Sequence, residues 1–453
     1  MMGFPTYRSI LKLVWPLAIG MANNAVMQFV DRVFLSQESE LSLAAVFPAS
    51  MLSWVFVGFF QSVVAYSGAF VAQYKGAGDN DGSVRSYFVA LVMGLISGLL
   101  CWALIIPGNT VFTLVGHTGD LLKYEQTYYT IVMFGSIALC LSTASQCYFT
   151  GLGFTRSVFW VNVCGNVLNI ILDAILIFGC GPIPSYGIAG AASATALAQT
   201  AQFLILWNMA LRRDEIGSFT NLLRIGRKGF AELFSRMLRF GVPSGLYTIL
   251  NMVSFTIFVF LTSKFNVNEL AISNAVFSVA YLLMAPLEGF AIGAETLVGQ
   301  FQGAGNASYA KKAGNRTIIL AVGYSIFMSI VVLAFHEPIL SLFMGSESSL
   351  NVPEMFSLGF TLFIMMTTWQ CFDAIDITSG GALKGAGDTK FIMMWMFFCA
   401  FLVWLPLVFF VYYNYRTMPM MWATQIVYIV IICIGTSIRW CRGYWKKIKI
   451  LEK

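Results

Sequence analysis

Twelve times in this chain an apolar run reaches about 20 residues, the length at which a helix can cross the hydrocarbon of a bilayer. Lipid offers no partner to a backbone amide, so each such run must satisfy its own hydrogen bonds as a helix. The expected spans are 9–34, 43–72, 84–108, 126–150, 158–180, 187–211, 236–263, 270–300, 313–336, 357–382, 391–413 and 419–440. Charged residues make up 11% of the 453, against about 25% in a soluble protein, which excludes a soluble globular fold. The expected class is therefore an all-α integral membrane protein with twelve transmembrane helices. Met1–Ile10 is too short for a cleaved leader and runs straight into the first span.

The twelve runs are two copies of six. Adding 227 to the numbers of the first span places Trp15-Pro16 on Val242-Pro243 and Asn24 on Asn251. The register continues unbroken to Val71-Ala-Gln73-Tyr-Lys-Gly76-Ala-Gly78, which falls on Val298-Gly-Gln300-Phe-Gln-Gly303-Ala-Gly305. A second box repeats later, Gly151-Leu-Gly153-Phe-Thr-Arg156 against Gly385-Ala-Gly387-Asp-Thr-Lys390. One position breaks the match: Asp31 falls on Phe258. An even number of spans per copy makes this a parallel repeat about an axis along the membrane normal, a transporter arrangement with its site where the halves meet. The expected division is a six-helix lobe over 1–211, a basic linker over 212–235 hugging the membrane surface, and a second six-helix lobe over 236–453. The box glycines suit tight turns. Nucleotide binding is not expected, since the chain has neither a GxxxxGK[ST] loop nor a soluble domain to house one.

All but four of the 27 basic residues fall on one side if the N-terminus is cytoplasmic; the exceptions are Arg32, Lys123, Lys264 and Arg416. The positive-inside rule then puts both termini in the cytoplasm, and the net charge of +6 belongs to loops rather than to a nucleic-acid footprint. Nine cysteines lie mostly in apolar segments, with no CxxC and no histidine neighbours, and read as packing residues. His117 and His336 fall at or beyond outer span ends and read as surface residues.

Six of the 21 acidic residues fall within the expected spans: Asp31, Asp173, Glu288, Glu295, Asp373 and Asp376. A carboxylate at the bilayer centre costs about 2.5–3.5 kcal/mol on insertion scales, so each is a functional candidate. Asp31 and Glu295 lie near span ends, where an interfacial role competes. Asp173 follows Asn169 by four residues and Asn166 by seven, which places an amide-and-carboxylate stripe on one helical face. That stripe must meet either an interhelical hydrogen-bond network or a wet, cation-binding cavity. Asp373 and Asp376 share a face with Gln370, and two carboxylates so close repel unless one takes a proton. Asn251, Glu288 and Glu295 are candidates to line the same half.

Pro16, the duplicated Gln-x-x-Gly-Ala-Gly box, the run ahead of Asp173 and Gly385-Ala-Gly387-Asp388-Thr389-Lys390 together resemble the multidrug and toxic compound extrusion (MATE) family, across nearly the whole chain. The resemblance implies two six-helix lobes in a V and efflux of organic cations driven by inward movement of protons or sodium. It matches Asp31 to the first-helix aspartate of bacterial members. Asn169 and Asp173 match the fifth-helix pair of the DinF-type branch, Thr195 resembles the threonine of its cation site, and Pro16 matches its bending proline. Asp373 matches an acidic residue of the NorM-type branch, but the glutamate usual eight residues after the second proline is Asn251 here. That departure favours the N-terminal lobe, with Glu288 or Glu295 as substitutes in the other.

The expected function is a secondary antiporter of the rocker-switch type, exporting cationic or amphipathic small molecules for H+ or Na+. It is expected to be no enzyme, to need no cofactor beyond the coupling ion, and to act as a monomer among membrane lipids. Asp31, Asn169, Asp173 and Thr195 form the expected coupling site, Asp31 and Asp173 the sodium ligands if sodium is used, and Pro16 the hinge. The rival is a flippase for a lipid-linked precursor of the same architecture. It calls for basic residues in mid-span, and no Lys or Arg lies centrally in any expected span. A membrane enzyme would need clustered His, a DDxxD-like pair or a Ser-Lys pair, which the sequence does not show.

Overall fold

The computed structural model describes residues 3–213, 227–343 and 352–451. Among these, twelve helices are long and apolar enough to cross a membrane. In chain order they are α1 (Tyr7–Glu38), α2 with α3 (Glu40–Ala65, Ser67–Ala77), α4 (Asn80–Ala103), α6 (Gly119–Leu152), α7 (Thr155–Phe178) and α8 (Gly187–Leu211). After the linker come α9 (Arg227–Thr262), α10 (Val267–Gly303), α11 (Ala307–Ala334), α13 (Val352–Gly385), α14 and α15 (Thr389–Phe397, Leu405–Asn414) joined by a π segment over Phe398–Trp404, and α16 (Met418–Arg442). Two shorter helices, α5 (Ile105–Val115) and α12 (His336–Phe343), follow the third and ninth spans. No strand occurs among the described residues. All twelve expected spans are present, most of them longer than their apolar stretches, because helices continue past the hydrocarbon into polar sequence. The linker shows this most: residues 227–235 belong to α9, while 214–226 lie outside the described residues.

The repeated boxes end their helices in the same way. Gly78 and Gly305 adopt φ of 76° and 74°, and Gly153 and Gly387 adopt 91° and 94°. These are left-handed terminating conformations, open to glycine at no steric cost. The duplication is thus visible as paired turns, as the sequence leads one to expect.

The chain forms two compact units that do not follow chain order. One comprises residues 1–18, 250–298 and 307–448; the other comprises 19–249, 299–306 and 449–453. The helices that carry the repeat-matched prolines, α1 with Pro16 and α9 with Pro243, each change unit partway along. In the first unit, the start of α1 lies against α10 at Gly289, where an added Cβ would come within 2.6 Å of the Leu17 carbonyl carbon. In the second unit, the start of α9 lies against α2, with added Cβ atoms at Gly241 and Gly245 reaching the backbone oxygens of Val63 and Phe59 at 2.8 and 2.9 Å. Small residues at these crossings let backbones approach closely, which is how helices gain packing energy where lipid supplies no hydrophobic drive. Pro16 sits two residues from the point where α1 changes unit.

The second unit also holds the duplicated box folded onto itself. A Cβ added at Gly76 would lie 2.7 Å from the Gln300 carbonyl carbon, and one added at Gly303 would lie 2.6 Å from that of Gln73. The contact is reciprocal, position 76 against 300 and position 303 against 73, as a two-fold repeat requires. Gln300 Nε2 donates to the Gly151 carbonyl at 2.8 Å, tying the first box to the second.

Candidate functional site

The α7 stripe is a buried polar surface of the second unit, and it extends one turn beyond Asn166 to Asn162. Asn162, Asn166, Asn169 and Asp173 follow at intervals of four, three and four, and are 9%, 5%, 0% and 0% exposed. The opposite face of the same helix carries Trp160, Val167 and Ile171, each at least half exposed, as a lipid-facing surface should be. The amides thus point into protein and the aliphatics away from it. That inversion of the soluble pattern is what a polar path through a membrane domain needs.

Asn24 of α1 accepts a hydrogen bond from Asn166 Nδ2 at 2.8 Å. One register further, the side chains of Asp31 and Asp173 come within hydrogen-bonding range of each other. Such a bond exists only if one carboxyl carries a proton. Apart from that mutual contact, no protein hydrogen bond is made by either oxygen of Asp173, by Oδ1 of Asp31, or by either side-chain atom of Asn169. Two carboxylates without donors, one buried and one half-buried, are costly as a charged pair, and a small cation between them would offset that cost. Tyr128 of α6, with Ser50 of α2 beside it, is in electrostatic range of both carboxylates, as is Arg32 of Asp31. Tyr128 and Ser50 were not among the sequence candidates, because a lone hydroxyl in an apolar span carries no pattern.

Thr195 lies half-buried on α8, and its hydroxyl donates to the Ala191 carbonyl of its own helix at 3.1 Å. No hydrogen bond joins it to the carboxylate pair. Among the described residues, no group of three or more His, Cys, Asp or Glu is placed to hold a metal ion.

The first unit holds a different arrangement. Phe258, the counterpart of Asp31, is fully buried, stacked on Trp404 at 5.5 Å and edge-on to Phe277 at 6.1 Å. An aromatic cluster thus occupies the repeat-related position. The acids of this unit lie elsewhere: Asp376 accepts from Thr436 Oγ1 at 2.7 Å, and Asp373 is in electrostatic range of Asp376 and Glu288. Lys384, at the end of α13, interacts with Glu288, Glu295 and Asp376. Glu295 comes this close because Gly385 lies against its backbone, where a Cβ would be 2.9 Å from the Glu295 carbonyl carbon. Asn251 is exposed on α9, and no contact draws it into this group. Lys384 lies two residues beyond its expected span, where hydropathy marks no intramembrane charge.

Two further buried charges were missed for the same reason. Glu125, one residue outside the expected fourth span, is fully buried and paired with His117 Nδ1 at 2.9 Å. Asp388 receives Arg439 through Nε at 2.6 Å and Nη2 at 3.2 Å. His117 is thus half-buried and hydrogen-bonded to a buried carboxyl rather than a free surface residue.

The model of the MatE family matches this chain twice, over residues 16–175 and 243–410. The two matches begin at Pro16 and Pro243, the equivalent prolines of the repeat. The chain is a member of the MatE family. Among curated MatE relatives, the probable multidrug resistance protein NorM of Thermotoga maritima is 23% identical, over 98% of this chain and 94% of that protein. Multidrug resistance protein PmpM of Pseudomonas aeruginosa is 26% identical, over 88% and 82%. Solved structures agree in fold. A transporter of the MOP superfamily from Pyrococcus furiosus, described as having a binding pocket of reverse polarity that suggests a different function, superposes with a TM-score of 0.85 at 19% identity, covering 99% of this chain and 98% of that one. A MATE protein in complex with MaL6 gives 0.83 at 20% identity, covering 97% of each. These MatE matches, with the twelve helices, show an all-α, multi-pass membrane transporter fold.

Proposed function

We propose that this protein is a secondary antiporter of the inner membrane that exports cationic or amphipathic small molecules in exchange for H+ or Na+. The observation that carries the reading is the pair formed by half-buried Asp31 and buried Asp173, side by side with no other protein donor and beside Asn169. A cation entering there supplies what the protein withholds, and its binding favours whichever state holds the two carboxylates together. The organic substrate need not touch the pair, provided it favours the other state. Pro16, next to the point where α1 changes unit, is the expected hinge, since a helix-interior proline removes a hydrogen bond and eases bending there. Alternating access of the rocker-switch type, with both termini cytoplasmic, follows the charge asymmetry and the two-fold repeat.

The multidrug names of the NorM and PmpM relatives support this substrate class. The flippase reading needs a cationic cavity for phosphate. Lys384 is the cation among the acids of the first unit, but three carboxylates engage it, which leaves little positive field for an anion. The test is ethidium efflux from proteoliposomes with the pH and sodium gradients collapsed separately. Loss of efflux on collapse of one gradient is expected, together with loss in Asp31→Asn and Asp173→Asn. Full efflux in both variants would overturn the assignment of the coupling pair.

A further inference from the structure

The polar stripe does not stop at the carboxylates. Along α7 it continues for eleven residues from Asp173 to Asn162, about 16 Å at the rise of an α-helix, or roughly half the thickness of the hydrocarbon. Its members are joined laterally. Asn166 donates to Asn24 at 2.8 Å, Asn162 Nδ2 donates to Gln146 Oε1 at 3.2 Å, and Gln146 Nε2 donates to Ser142 Oγ at 3.0 Å. Beside them Gln61 of α2 donates to Thr143 at 3.2 Å. On the other flank Gly165 lies against the Gln202 side chain, 2.6 Å from an added Cβ to Cδ. Every member beyond the carboxylate pair is a neutral amide or hydroxyl.

A structural hydrogen-bond network would use up its donors and acceptors, and this one does not. Both side-chain atoms of Asn169, Oδ1 of Asn162 and Nδ2 of Asn23 are buried with no protein partner. Buried polar atoms left over by the protein are the places where ordered water is held. Carboxylates hold a cation, whereas neutral carbonyl and amide dipoles solvate one in passing without trapping it. The sequence of groups, two acids at one end and amides along the rest, is the order a route needs if it is to load at the acids and discharge along the amides.

We infer that the amide ladder Asn169–Asn166–Asn162–Gln146, with Asn24 alongside, is the hydrated route by which the coupling cation leaves Asp31 and Asp173 toward the Thr155 end of α7. The route runs inside the second unit. It rests on the proposed coupling role of the carboxylate pair, and it adds a separate path for the small cation. The ladder members are positioning and conducting groups, so removing their polarity should slow cation movement while leaving substrate binding intact.

The experiment uses the full chain in proteoliposomes, with ethidium as substrate and an entrapped pH dye or radioactive sodium reporting cation movement. Asn162→Leu and Asn166→Leu are expected to cut substrate-driven cation flux by about tenfold or more, the scale of losing a buried polar partner. Ethidium affinity, measured by fluorescence polarisation, should stay within about twofold in the same variants, a shift of less than 0.5 kcal/mol. Asn162→Ser should restore most of the flux, because a small hydroxyl keeps the path polar. If Leu and Ser slow the flux equally, packing rather than polarity is responsible and the route is overturned. If Asn162→Leu does not fold, Gln146→Leu on α6 tests the same ladder from its other helix. Asp173→Asn separates the two readings. Loss of flux there with full flux in the ladder variants refutes the route alone, whereas full flux in both Asp173→Asn and Asp31→Asn refutes the coupling pair.

Discussion

Replacing Gly76 with alanine tests the reciprocal box contact at its tightest point. In an isolated helix the change would help, by about 1 kcal/mol of helix propensity. Here the new Cβ would sit 2.7 Å from the Gln300 carbonyl carbon and 3.0 Å from the Ala304 nitrogen. Carbon atoms rest at about 3.5–4.0 Å, so α3 and α10 must separate by roughly 1 Å. Both neighbours are backbone and cannot rotate aside. A shift of that size also strains the 2.8 Å bond from Gln300 to Gly151. Overpacking of this kind costs about 1–3 kcal/mol, and a lost hydrogen bond about 1 more. Set against the propensity gain, the expected net cost is about 1–3 kcal/mol for the observed arrangement, or roughly a 5- to 160-fold change in its population. Thermal unfolding of the purified protein should show a lowered midpoint for Gly76→Ala and, by the two-fold relation, a similar one for Gly303→Ala. Gly323→Ala is the control, since nothing lies within 4 Å of its Cβ and only the propensity gain remains. Midpoints for Gly76→Ala and Gly303→Ala equal to that of Gly323→Ala would refute the argument.

Arg439→Ala strands the carboxylate of Asp388, which is 4% exposed, and is expected to lower stability by about 3 kcal/mol, near the low end for a broken buried pair because Arg439 is partly exposed. Asp388→Asn in that background should recover part of the loss, as read by thermal unfolding. His117→Ala leaves Glu125 buried and unpaired, so Glu125→Gln added to it should raise the unfolding midpoint rather than lower it further. Phe258→Asp restores the carboxylate to the second copy of the repeat but opens a cavity in the cluster with Trp404 and Phe277. It is expected to cost about 3–5 kcal/mol and to leave the ion stoichiometry of transport unchanged, which flux ratios would show.

The helices, their number and the two-fold repeat were legible because hydropathy acts locally: a run of apolar residues must be helical in lipid whatever its neighbours are. The stripe ending at Asp173 was legible for a related reason, since a polar face at helical spacing is a property of one element. Its extension to Asn162 could have been read by the same spacing, four residues before Asn166. The pairing of Asp31 with Asp173 was implied by family resemblance but not by any local pattern, because the two residues are 142 positions apart and meet only across α1 and α7. Span ends proved the weak point. Glu125 and Lys384 fell one and two residues outside the apolar runs, yet the helices continue through both, and packing buries the first completely and half-buries the second.

By itself the sequence determined that this chain is a duplicated, twelve-helix membrane protein with acids where lipid would refuse them. Burial in lipid is decided by transfer free energy, which is summed residue by residue along the chain. Tertiary structure alone decided which acids face each other and that α1 and α9 begin in the other repeat's unit. It also decided that Phe258 meets an aromatic cluster where its counterpart Asp31 meets a carboxylate. Those outcomes depend on shape and partner at a distance, and hydropathy carries no term for either.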